Sequence, residues 1–164
     1  MVTQVIINGL EFAQKALEIH GKISNSQLSR LHDLLYSDVG KLDYSVQGNI
    51  NAEGVPALRL QMKGLLSLVC QRCLEPMEFQ LDWQVEYRLV ASEEKLPAPE
   101  DESDNADYLV ADPQMNVQQL VEDEILLALP LAPKHGNADC AGLSAASAVH
   151  KENPFRVLQG LKQN

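Results

Sequence analysis

From Leu42 to Ala91 the chain alternates apolar and polar residues with a period of two, a pattern that suits strands and not helices. The last run is the cleanest. Phe79, Leu81, Trp83, Val85, Tyr87 and Leu89 alternate with Glu78, Gln80, Asp82, Gln84, Glu86 and Arg88. One buried and one wet face is the mark of an antiparallel sheet. In the run before it, Leu58, Leu60, Met62, Leu66 and Leu68 share one face, with Arg59, Gln61, Lys63 and Ser67 on the other. Gly64 there is the signal for a bulge. Leu42, Tyr44, Val46 and Ile50 make the first run, closed by the turn Asn51-Ala52-Glu53-Gly54. Residues 42–91 therefore read as a three-stranded meander. Cys70-Gln71-Arg72-Cys73 lies at the corner between its second and third strands.

The flanks carry helical spacing. Val2, Val5, Ile6 and Ile7 suit a short edge strand. Leu10, Phe12, Ala13, Ala16 and Leu17 predict a helix over 10–20, ended by Gly21. Leu28, Leu31, Leu34 and Leu35 predict a second, capped by Ser24 or Ser26. A short strand at 108–110 precedes a third helix over 117–129, capped by Asn116 and stopped by Pro130 and Pro133. The fold expected is α+β: an antiparallel β-meander or sheet, open or barrel-like, packed with several α-helices. Residues 1–135 form one domain, in which 92–107 is a flexible acidic loop. Residues 136–164 form a loose tail with a short C-terminal helix, started by Asn153 and Pro154 and carrying Phe155, Leu158 and Leu161 on one side. That apolar turn either seals the core or docks on a partner protein.

Three cysteines, an odd number, argue against a disulfide framework. No signal peptide or membrane-spanning run is present in the sequence, so a cytoplasmic setting with reduced thiols is expected. Zinc takes four Cys and His ligands in a tetrahedron. Cys70 and Cys73 have the spacing to supply two, and His135 and Cys140 complete the set if the end of the long helix returns to the corner. Two other readings stay open. The thiols could be a redox pair, although no helix begins at Cys73 to stabilise a thiolate. They could also do no more than close a hairpin corner.

Thirteen basic and 23 acidic side chains give a net charge of -10. That balance disfavours broad contact with a phosphate backbone, whose affinity comes from basic side chains. There is no phosphate-binding Gly-rich loop and no nucleophile elbow, so no enzyme is expected. Glu122, Asp123 and Glu124 point in different directions on a helix and do not form a two-carboxylate site. One of them is a candidate partner for Arg72.

Val69-Cys-Gln-Arg-Cys-Leu-Glu-Pro76, Val121-Glu-Asp-Glu-Ile-Leu-Leu-Ala-Leu-Pro130, Pro133-Lys-His135 with Cys140, and Asn153-Pro-Phe155 together resemble the YceD family of bacterial large ribosomal RNA subunit accumulation proteins. The order and spacing hold over nearly the whole chain. The resemblance implies a non-enzymatic role in synthesis, processing or stability of 23S rRNA. Some members of that family carry a fuller Cys-rich tail of a kind that binds zinc. Here Ser144 stands in place of one such Cys, which leaves Cys70, Cys73, His135 and Cys140 as the ligand set. Two readings follow. In one, the chain is an adaptor to ribosome-assembly or rRNA-processing proteins, with Arg72, Pro154, Phe155, Leu158 and Leu161 as docking residues and 23S rRNA met indirectly or weakly. In the other, Arg59, Lys63, Arg72 and Arg88 form a small basic patch that binds RNA directly.

Overall fold

The structure is a computed structural model, and it describes residues 4–97, 107–136 and 140. The tip of the acidic loop and the tail from 141 onward, with Ser144, Pro154, Phe155, Leu158 and Leu161, lie outside the described residues.

The period-two stretch folds as its pattern requires. Strands β1 (Ile6–Ile7), β2 (Glu18–Ser24), β3 (Leu35–Ser37), β4 (Lys41–Ile50), β5 (Pro56–Val69), β6 (Pro76–Val90), β7 (Asp107–Val110) and β8 (Met115–Asn116) alternate with helices α1 (Gly9–Gln14) and α2 (Val117–Ala128). One six-stranded sheet has the order β2-β4-β5-β6-β7, with β3 also pairing with β5. Its pairs are antiparallel except β6 with β7, which is parallel. β1 and β8 form a separate ribbon. Leu58, Leu60, Met62, Leu66 and Leu68 of β5 are fully buried or nearly so, and they pack with Leu42, Val46, Leu81 and Ile125. Each such side chain contributes about 1.5–3 kcal/mol of burial.

The expectation of several packed α-helices fails: among the described residues there are two, and strand outweighs helix about two to one. Among the described residues the sheet does not close into a barrel. The helix expected over 10–20 stops at Gln14, because Ala16 adopts a positive φ of 48° and turns the chain into β2. The apolar residues there fit two periods, and pairing with β4 selects the second: Glu18, His20 and Lys22 align with Gln47, Ser45 and Asp43. The helix expected around Leu28–Leu35 is replaced by two 3-10 turns, Asn25–Gln27 and Ser29–Leu31, followed by β3. Leu28, Leu31 and Leu35 still reach the core, but Leu35 does so by pairing with Leu68. Gly64 is not a bulge. It keeps regular register between Leu42 and Leu81, and a Cβ there would come within 2.3 Å of the Leu42 side chain.

α2 buries Val117, Val121 and Ile125 in the same core cluster as the β5 leucines. Asn116 caps it by accepting from the backbone N–H groups of Gln118 and Gln119. Pro130 follows its last turn and sends residues 131–136 back toward the β5–β6 corner, where the Gln71 N–H donates to the Pro133 carbonyl at 2.8 Å.

Candidate metal centre

The corner is a tight turn in which the Leu74 N–H returns to the Cys70 carbonyl at 2.9 Å. Leu74 takes a positive φ of 62°, an uncommon conformation for an apolar side chain. The turn faces Cys70 and Cys73 toward residues 133–136, which bring His135. Cys140 closes the group. One donor atom from each of Cys70, Cys73, His135 and Cys140 lies within 4.8 Å of every other. Sequence reasoning named all four.

The Cys70 and Cys140 sulfurs are 3.9 Å apart, and the Cys73 sulfur is 3.4 Å from His135 Nδ1. A tetrahedron with bonds of ~2.3 Å to sulfur and ~2.0 Å to nitrogen has edges of roughly 3.5–3.8 Å, so both contacts are close to ligand spacing. His135 Nε2 lies 3.0 Å from the Pro76 carbonyl. A carbonyl only accepts, so Nε2 carries the hydrogen and Nδ1 presents its lone pair to the sulfurs.

Charge is prepared as well. Burial pushes the Cys70 thiol up, but the backbone N–H groups of Cys73, His135 and Arg72 directed at its sulfur outweigh that and bring it down to about 5. Burial first, and then hydrogen bonds to Cys73 and Cys70, push Cys140 up to about 11. Cys70 is thus the sulfur that the turn surrounds with backbone donors. A thiolate cradled by backbone N–H groups is the form in which cysteine ligates a metal.

Arg72 donates to the His135 carbonyl at 2.7 Å and to the Gly136 carbonyl at 3.4 Å. It holds the arm that bears His135 and does not join the α2 acids. Those acids have other partners. Glu122 accepts from the Ser29 N–H at 3.0 Å, Asp123 pairs with Arg30, and Glu124 accepts from Trp83 and Tyr87. Sequence reasoning missed the roles of the Pro76 and Pro133 carbonyls. They are main-chain acceptors, and no residue type advertises them.

The other basic residues singled out from the sequence lie on or beside the outer face of the sheet, each next to a carboxylate. Arg59 pairs with Glu86 at 2.7 Å, Lys63 with Asp82 at 3.3 Å, and Arg88 with Glu53 at 3.3 Å. Arg88 also stacks over the Tyr108 ring. From Arg59 to Val69 strand β5 runs roughly 30 Å, so Arg72 stands far from Arg59. No helix among the described residues is long and apolar enough to cross a membrane.

Comparison with known proteins adds a family. The sequence profile described as "Large ribosomal RNA subunit accumulation protein YceD" matches residues 58–162. Over 174 residues the chain is 26% identical to the Large ribosomal RNA subunit accumulation protein YceD of Haemophilus influenzae, covering 96% of this chain and 94% of that protein. No solved structure matches the chain.

Proposed function

Since this chain belongs to the YceD family, we propose that it is a non-enzymatic factor in large-subunit rRNA accumulation that works as an adaptor to ribosome-assembly or rRNA-processing proteins. The observation that carries the adaptor reading is the neutralised sheet face. Arg59, Lys63 and Arg88 each sit beside an acid, and the chain's net charge is -10. Neutralised cations have little left to displace counterions from a phosphate backbone. The docking residues in this reading are the corner around Arg72 and the tail residues Pro154, Phe155, Leu158 and Leu161.

The donor set of three sulfurs and one imidazole suits zinc in a structural, closed site. Cys70, Cys73 and Cys140 would hold it through sulfur and His135 through Nδ1. Zinc bound there would supply a cross-link between the hairpin corner and the segment after α2. Arg72 and the Pro76 carbonyl hold that segment at the corner.

The test is capture of partners by the full chain and by a chain lacking residues 153–161, together with binding of purified protein to 23S rRNA fragments across a salt series. The adaptor reading expects protein partners that weaken on truncation, and RNA binding that is absent or lost at raised salt. Tight, salt-resistant RNA binding by the purified chain would instead favour the direct-binding alternative.

A further inference from the structure

β6 is 15 residues long, yet β7 pairs only with Tyr87–Val90. Along a strand, successive residues direct their N–H and C=O groups to opposite sides. The Val90 carbonyl accepts from the Ala111 N–H on the β7 side, at 2.8 Å. The Pro76 carbonyl accepts from His135, also away from β5. The Glu75 carbonyl, of opposite parity, accepts from the Cys70 N–H at the start of the corner. Register with β5 runs without a shift from Ala57↔Arg88 to Val69↔Pro76. Glu78, Gln80, Asp82, Gln84 and Glu86 therefore aim both main-chain groups away from β5, and among the described residues no strand pairs with them.

The side chains along this edge sort by face. Outward lie Glu78, Asp82 and Glu86, and the last two each use one carboxylate oxygen on Lys63 and Arg59. Inward lie half-buried Phe79 and Val85, with Trp83 38% exposed between them. We propose that this edge is a docking site for an extended protein segment that alternates Lys or Arg with apolar residues and adds to β6 as a further strand. Basic side chains would meet the acids on one face, and apolar ones would cover Phe79, Trp83 and Val85 on the other. Two rival occupants carry the wrong charge. A second copy would set Glu78, Asp82 and Glu86 against the same acids, and the chain's own stretch 100–104 is Glu-Asp-Glu-Ser-Asp. The choice of a protein segment over RNA rests on the adaptor reading above.

The test follows amide hydrogen exchange in the full chain by NMR, with a ten-residue alternating Lys-Val peptide as probe and its Glu-Val counterpart as control. In the free protein the amides of Glu78, Gln80, Asp82, Gln84 and Glu86 should exchange fast while Phe79, Leu81, Trp83 and Val85 exchange slowly. The Lys-Val peptide should slow the first set at least tenfold and leave the second unchanged. Gln84→Pro removes an outward N–H without removing a bond to β5, and should weaken the peptide at least tenfold. Glu78→Lys, an exposed charge reversal with little risk to the fold, should weaken it severalfold. Outward amides already protected in the free chain would overturn the proposal, as would Glu-Val binding equal to Lys-Val, or binding that leaves those amides fast. Salt-resistant RNA binding with the edge still protected by peptide would instead sink the adaptor reading and leave the edge standing.

Discussion

Glu124 is 2% exposed and both its oxygens are engaged. The Trp83 indole N–H donates to one at 3.0 Å, and the Tyr87 hydroxyl donates to the other. Burial first, and then the bond to Glu124, hold the Tyr87 hydroxyl well above the ordinary tyrosine range. A group whose folded pKa is raised stabilises the fold fully below its unfolded pKa, and that contribution is lost as pH rises toward the folded value. Tyr87 should therefore stabilise the fold up to about pH 10 and progressively less above it. Urea unfolding at several pH values, followed by the emission of Trp83, should show stability falling above that point in the natural chain. Tyr87→Phe should flatten this limb and lower stability near neutrality. An unchanged alkaline limb in the variant would show that Tyr87 is not responsible. At this scale the sequence was partly legible. Cys70, Cys73, His135 and Cys140 could be read as one donor set from residue type and spacing. The tautomer of His135 could not, because it depends on a main-chain carbonyl from another strand.

The acids of α2 show how one element is placed. At about 100° per residue, Glu122, Asp123 and Glu124 cannot face the same way, and each binds a different part of the molecule: the Ser29 N–H, Arg30, and the Trp83–Tyr87 pair. The run is thus three attachments, two of them through acids that are nearly inaccessible. The cap and the exposed pair should differ in weight. Asn116→Ala should cost about 1 kcal/mol in denaturant unfolding. Arg30→Ala, which breaks a pair with both side chains about half exposed, should cost about 0.5 kcal/mol or less. A reversal of that order would mean that α2 is held from its side and not from its start. The β4–β5–β6 meander and α2 itself were legible because a long stretch kept one period. β2 and the turns around Leu28–Leu31 were not. Short apolar runs satisfy both periods, and the choice is made by whichever neighbour offers main-chain partners.

Across the whole molecule, the sulfur–imidazole cluster joins sites some seventy positions apart in sequence, as the Cys70–Cys140 contact shows. A cross-link of that kind should stabilise the fold through mass action. At free zinc about a thousandfold above its Kd, the gain is about 4 kcal/mol, which for a chain of this length is roughly 10 °C in Tm. Adding a strong chelator to metal-loaded protein should therefore lower Tm by that order, and Cys73→Ser should begin lower and respond little. Identical melting of natural and variant chains, with and without chelator, would remove the metal from the account.

The amino-acid sequence by itself determined where the chain alternates, where α2 begins and ends, and which side chains have the chemistry to ligate. Those are properties of neighbouring residues and of side-chain type. Only the tertiary structure decided that the segment after α2 returns to the corner, that most of the outer edge of β6 has no strand partner among the described residues, and that Arg59, Lys63 and Arg88 lie beside acids of other segments. Each of those depends on register between segments distant in sequence. A shift of one residue would exchange every facing pair while leaving the local pattern untouched.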